Sequence, residues 1–222
     1  LSDGQDKLPS PAEIQKRIDD ALKEVNRQMS TYQTDSEISQ FNQLRTVNQA
    51  MPISQDFAYV TGEALRLNKL THGALDVTVG PLVNLWGFGP QKEITHEPTA
   101  QEIQHASEIV GTDKLKLSQD GQQPTLAKTH PEVYLDLSSI AKGFGVDKTA
   151  AELEKLNIGN YLVEIGGELH GKGRNAQGNP WRIGIEQPNI VQGGATQITI
   201  PLDNKSLATS GDYRIFHVDK SG

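Results

Sequence analysis

The sequence predicts an α+β fold, and three observations carry that expectation. Residues 11–72 are dominated by helical periodicity. Residues 160–209 read as a series of short strands parted by turn signals, and one further helical pattern joins the two regimes. Helices segregated from strands in this way argue against a regular βαβ array. With no internal repeat and no low-complexity linker in 222 residues, no internal boundary is drawn, and residues 1–222 are expected to form one domain.

Residues 11–29 read as the first helix. Ser10 is placed to cap it, Pro11 takes the first position and Glu13 follows three residues after the cap. Ile14, Ile18, Leu22, Val25 and Met29 step by four or three and form one apolar stripe. Residues 30–35 break this helix, and residues 36–42 are expected to form a second, capped by Thr34 or Asp35. Residues 54–72 return to the helical pattern through Phe57, Val60, Ala64 and Leu65, and Gly73 is expected to end it. Residues 80–90, rich in Gly and Pro, read as a structured loop. Residues 99–110 read as a helix capped by Thr99. Residues 115–117 and 123–126 read as a hairpin around Asp120-Gly121. A short strand over 133–136 is expected to run into a helix over 142–156. Strands follow at 160–165, 170–172, 181–186, 195–201 and 206–209.

The bulk numbers exclude several functions. No apolar run approaches the ~20 residues of a bilayer-spanning helix. A net charge of −7 argues against nucleic acid as the main partner, which would call for a basic patch. The absence of cysteine rules out disulfides, thiolate metal sites and a cysteine nucleophile. No two of the six histidines stand four apart, so no zinc motif is present.

The most informative stretch is Asp136-Leu-Ser-Ser-Ile-Ala-Lys-Gly-Phe-Gly-Val-Asp147. A strand entering a helix through Ser-Ser would present backbone N–H donors at a helix N-terminus, a site for phosphate. Asp136 and Lys142 flank the same turn. The plain structural alternative is that Ser138 or Ser139 only caps the helix. Four other stretches draw notice. Tyr32, on the break after the first helix, would offer a flat ring to a planar ligand, or else pack over the helix end. Gly73-Ala-Leu-Asp76 would let backbone approach a ligand closely, with Asp76 accepting from a ribose or a ring N–H; Trp86 and Phe88 beyond it read as core. The glycine pair in Glu164-Ile-Gly-Gly-Glu168 reads as a bulge against a ligand or as a hairpin turn. Ser210-Gly211 would offer a free N–H to a phosphate, or make a turn. A competing set, Ser139-Ile-Ala-Lys142 with Ser210-Gly-Asp212 and Lys220-Ser-Gly222, has the elements of S-x-x-K serine acyl enzymes. Against it, its second element ends in Asp, and its last two elements lie too close together.

Taken in order, several of these stretches resemble the ApbE family of FAD:protein FMN transferases. They are Met29-Ser-Thr-Tyr32 with Asp35-Ser-Glu37 and Phe41-Asn42, the glycine-rich run from Gly73 to Gly89, Asp136 to Asp147, Gly166-Gly-Glu168, Trp181 to Glu186 and Thr209-Ser-Gly-Asp-Tyr213. The resemblance implies two α/β lobes with mixed sheets and a cofactor cleft between them. It implies Mg2+-dependent transfer of FMN from FAD to a Ser or Thr hydroxyl of an acceptor protein, with a phosphoester formed and AMP released. By position, Tyr32, Ala74, Leu75, Asp76, Asp136 and Lys142 would contact FAD, and Ser139 would be a metal ligand through its carbonyl.

The family pattern also sets expectations about what lies outside the chain. The family's later Asp and Thr, which complete the Mg2+ site, are expected beyond residue 222, together with the catalytic groups, and a Met-Gly-Thr strand before residue 1. The chain is therefore expected to be a piece of a longer protein. The implied partners are acceptor proteins flavinylated on Ser or Thr, such as subunits of membrane redox complexes. The implied location is the periplasmic side of the inner membrane, with a lipid anchor outside this chain. The alternatives are a flavin-binding protein without turnover and an FAD pyrophosphatase in which water replaces the acceptor.

Overall fold

A computed structural model of the chain describes residues 9–89, 96–187 and 196–211. Two compact units emerge. One is Leu22–Phe144; the other combines Leu1–Ala21 with Gly145–Gly222, so the division falls within the first helix and within the last.

The Leu22–Phe144 unit takes the C-terminal part of α1 (Pro11–Met29), then α2 (Glu37–Gln43), α3 (Gln55–Leu70), α4 (Gly80–Leu85) and α5 (Ala100–Ile109), and the start of α6 (Ser138–Lys155). Its sheet has the order β1-β3-β2, from β1 (Met51–Pro52), β2 (Leu115–Ser118) and β3 (Thr125–Lys128). Phe41, Phe57, Ile38, Val77, Leu126, Val133, Leu135 and Leu137 form the centre of its core. Each such side chain stabilises the fold by about 1.5–3 kcal/mol relative to exposure.

The other unit packs Val146, Ala150 and Leu153 of α6 against Tyr161 and Val163, with Ile14 and Ile18 of α1 at the margin. Its strands are β4 (Tyr161–Ile165), β5 (Glu168–Lys172) and β8 (Lys205–Leu207), in the order β4-β5-β8, and a separate pair, β6 (Trp181–Glu186) with β7 (Thr196–Leu202). Every ladder between these strands, as between β1, β2 and β3, is antiparallel, where the resemblance implied mixed sheets; the α+β class holds.

Four local expectations change. The cap of α2 is Ser36, whose Oγ accepts from Ser39 N, rather than Thr34 or Asp35. The left-handed residue past α3 is His72 at φ +53, with Gly73 one further on at φ +86. His72 N donates to Lys69 O and Gly73 N to Asn68 O, the paired bonds of a Schellman ending. The supposed loop over 80–90 contains α4, closed by the same pair of bonds from Gly87 N to Asn84 O and Phe88 N to Val83 O. The Gly166-Gly167 pair, at φ +57 and +95, is the two-residue turn of the β4–β5 hairpin and not a bulge.

A fifth change bears on function. Residues 133–136 are extended but belong to no sheet, and α6 begins at Ser138 rather than 142. Burial alternates there as it would in a strand, with Val133, Leu135 and Leu137 inside and Tyr134 and Asp136 half-buried. Side chains take the place of the neighbouring strand. Asn42 Nδ2 donates to Leu135 O at 2.9 Å and Asn42 Oδ1 accepts from Leu135 N at 2.7 Å. Lys128 Nζ donates to Val133 O at 3.0 Å.

Candidate functional site

A pocket of about 500 Å3 opens in the Leu22–Phe144 unit. It gathers Tyr32, Ala74, Leu75, Asp76, Asp136 and Ser139, six of the seven residues singled out by resemblance. Thr31, Val79, Val83, Phe88, Gly89 and Ser138 complete its lining. Lys142 is exposed on α6, one turn beyond Ser139, and is not among the lining residues.

Each wall has a local cause. Tyr32 sits on a turn fastened to α2. Ser36 Oγ donates to Ser30 O and Gln33 O at 2.7 and 2.9 Å, Gln40 Nε2 to Asp35 O at 2.8 Å and Gln43 Nε2 to Thr34 O at 3.1 Å. The ring is 69% exposed, so it does not pack over the end of α1 as the plain structural reading had it. Phe88 and Trp86, read as core from the sequence, are 46% and 37% exposed, and Phe88 lines the pocket. Gly80 lets α4 lie against Tyr134: a Cβ there would stand 2.3 Å from the ring. Burial and the Asp136 charge raise the Tyr134 pKa, against a hydrogen bond with the Thr31 side chain.

Asp76 and Asp136 are set by one device used twice. Asp76 Oδ1 accepts from Thr78 N at 2.7 Å and from the Thr78 hydroxyl. Asp136 Oδ1 accepts from Ser138 N at 2.8 Å. Both are Asx turns, in which a short carboxylate folds back onto the backbone two residues on. The sequence writes them alike, as Asp76-Val-Thr78 and Asp136-Leu-Ser138. Asp136 N donates to Val77 O at 2.7 Å, so the two turns are tied side by side. Gly111 N, donating to Thr78 Oγ1 at 2.7 Å, anchors the first from behind. In each carboxylate the internal bonds fall on Oδ1, which leaves Oδ2 for a ligand's N–H or O–H.

The amide-lined helix mouth expected at Ser138-Ser139 is largely closed. Ser138 N is taken by Asp136, while Ile140 N and Ala141 N both donate to Leu137 O. Leu137 is therefore the capping position, and neither serine is. Of the first-turn amides, Ser139 N is the one with no partner among the described residues.

Two signals passed over in the sequence point to the missed lining residues. The doubled Asp-x-Thr/Ser pattern marks the Asx turns and with them Ser138. The glycines flanking Phe88 mark a backbone turned to expose a ring. Of the serine acyl set, Asp212 and Lys220-Ser-Gly222 lie outside the described residues, as does Tyr213. Among the described residues no group of three or more His, Asp or Glu side chains converges to hold a metal ion.

The model of the ApbE family matches residues 3–222. The FAD:protein FMN transferase of Haemophilus influenzae is 54% identical over 199 residues, which are 90% of this chain and 58% of that protein. The Vibrio cholerae protein of the same name is 51% identical over 201 residues, again 90% and 58%. Among solved structures, the flavin transferase ApbE from Vibrio cholerae superposes with a TM-score of 0.86 at 47% identity, covering 97% of this chain and 68% of that one. The apo form of the Pseudomonas stutzeri flavinyl transferase ApbE gives 0.83 at 33% identity, covering 97% and 67%. The chain spans little more than half the length of the curated relatives it matches. A match across nearly the whole chain, with residues of three of the ordered motifs gathered in one pocket, sets aside the serine acyl alternative: the chain belongs to the ApbE family.

Proposed function

We propose that this chain is the FAD-binding part of an FAD:protein FMN transferase. The observation that carries the reading is the convergence of Tyr32, Ala74, Leu75, Asp76, Asp136 and Ser139 on one pocket in a chain whose relatives bear that name. In the reaction, a Ser or Thr hydroxyl oxygen of an acceptor protein attacks the FMN phosphorus of FAD. A new P–O ester bond forms as the hydroxyl gives up its proton to solvent, the pyrophosphate P–O bond breaks, and AMP leaves with the bridging oxygen. Tyr32 and Phe88 offer exposed ring faces to the flat parts of the dinucleotide. The free oxygens of Asp76 and Asp136 accept from a ribose hydroxyl or a ring N–H. Ser139 N, at the positive end of α6, faces developing negative charge. Lys142, on the next turn, has a stem long enough to bring its ammonium to a phosphate oxygen.

Magnesium belongs to this reading, with Ser139 as the ligand position it assigns here. A divalent cation bound there would neutralise charge on the pyrophosphate. The described residues alone do not make up a ligand set, so no step is routed through the ion. The acceptor as a Ser/Thr-flavinylated subunit of a membrane redox complex, and a lipid-anchored periplasmic location, complete the proposal. No helix among the described residues is long and apolar enough to cross a membrane.

The test is incubation of the full-length protein with FAD, Mg2+ and an acceptor domain carrying a Ser/Thr flavinylation site. Covalent yellow fluorescence should follow the acceptor on a denaturing gel, with AMP released in equal amount. AMP and free FMN without labelled acceptor would make the protein a pyrophosphatase. FAD bound with no AMP released would make it a carrier.

A further inference from the structure

We propose that Asn42 is a positioning residue of the pocket: its side-chain amide stands in for an absent strand and sets where Asp136 and the first turn of α6 lie. The functional half of this proposal rests on the reading of the pocket as an FAD site. Residues 133–137 are extended and alternately buried, yet they pair with no strand. Buried backbone N–H and C=O groups need partners, and here the partners decide the path of the segment. Asn42 both donates to Leu135 O (2.9 Å) and accepts from Leu135 N (2.7 Å), the exchange a residue of an antiparallel strand would make. Its own carbonyl accepts from Lys128 Nζ at 3.2 Å, and the same ammonium holds Val133 O at 3.0 Å. One residue beyond this clamp is Asp136, whose N–H is tied to Val77 O beside Asp76.

The placement of Asn42 on α2 gives the clamp its reach. The same seven-residue helix carries Gln40 and Gln43, which hold the turn bearing Tyr32. One short helix thus locates the aromatic wall through one set of side chains and the carboxylate floor through another. Few side chains can replace Asn42, which is buried. Aspartate has the acceptor but, ionised, no donor. Glutamine moves the amide out by one methylene, about 1.5 Å.

The experiment uses the full-length protein and three variants, Asn42→Ala, Asn42→Asp and, as control, Gln119→Ala, which deletes a comparable side-chain bond to Ala58 O elsewhere in the same unit. The first readout is amide hydrogen exchange without ligand. In the wild type, Leu135 N–H should exchange as slowly as the β2–β3 ladder amides. In both Asn42 variants, exchange over residues 133–138 should quicken while the ladder stays protected. The second readout is FAD affinity at a temperature where every variant is folded. Affinity should fall about tenfold in the Asn42 variants and stay unchanged in the control. Fast Leu135 exchange in the wild type overturns the clamp without any variant, even if the variants fail to fold. Quickened exchange with unchanged FAD affinity overturns its role in the pocket. Failure of the wild type to bind FAD would sink the proposed function instead, and the exchange data would still decide the clamp.

Discussion

Raising the pH above 8 should stabilise this protein through one buried lysine. Lys128 is 1% exposed, and burial, with a smaller effect from the Arg45 charge, lowers its pKa to about 8. In the unfolded chain the ammonium holds its proton to about pH 10.4. Below pH 8 both states are protonated, and the native state bears the full cost of enclosing the charge. Between about pH 8 and 10.4 the native state has released a proton that the unfolded state keeps. Stability rises with pH wherever the unfolded state binds more protons. A fall of roughly 2.5 in pKa corresponds to about 3 kcal/mol in all, of which about 2 kcal/mol is recovered between pH 7 and about 9.5. Lys128→Met keeps the apolar stem and removes the titration. Urea denaturation of both proteins at several pH values across this range gives the difference in unfolding free energy at each. Taking the difference cancels the other titrating groups. Tyr134 and Tyr161 are among them; their raised pKas lower stability at still higher pH, where the unfolded tyrosines ionise first. The variant is expected to be less stable at every pH, because two buried carbonyls lose their donor. Its deficit should widen by about 2 kcal/mol as the pH rises to about 9.5. A deficit that stays constant would refute the reasoning.

Three substitutions test the packing around the pocket. Gly80→Ala places a methyl 2.3 Å from the Tyr134 ring, which must move by more than 1 Å to reach ordinary contact; a loss of about 1–3 kcal/mol in chemical denaturation and weaker FAD binding are expected. Gly143→Ala in α6 meets no atom within 4 Å and should stabilise the ligand-free protein by about 0.5–1 kcal/mol, read as a higher Tm. If the same variant binds FAD less well, the open space beside Gly143 is ligand space. Thr99→Ala removes the capping box of α5 with Glu102 and should cost about 1 kcal/mol while leaving FAD affinity at the wild-type value.

Periodicity made the elements legible, and caps made their ends so. α1 falls at 11–29 as the stripe from Ile14 to Met29 and the Ser10-Pro11 start required, and Thr99 marked the start of α5. What the sequence left hidden was the origin of hydrogen bonds that are not local. Residues 133–136 have the burial pattern of a strand, and nothing nearby in sequence says that their partners are the side chains of Asn42 and Lys128. Nor does periodicity separate an aromatic that fills a core from one presented to solvent, which is why Phe88 was misread. The candidate residues that line the pocket were reached through the resemblance; spacing alone left Ser138 and Ser139 open between cap and anion site, and neither is the cap.

The chemistry of the lining constrains how a dinucleotide can lie. Asp76 and Asp136 present carboxylate oxygens, which accept hydrogen bonds and repel phosphate. They therefore suit the sugar and ring edges of FAD, and a diphosphate lying against them would have to bring a cation with it. The groups suited to phosphate are Ser139 N and the Lys142 ammonium, three to six residues past Asp136 along one segment. Since Ser138 N is already held by Asp136, the switch from acceptor to donor occurs within a single helical turn. Anything that slides the segment from 133 to 139 along its axis moves both halves together. Their spacing survives such a slide, but their register against the Tyr32 turn does not. That register is held from α2, through Asn42 on one side and Gln40 and Gln43 on the other. A helix of seven residues, supplying no pocket-lining atom itself, is thus the part on which the geometry of both walls depends.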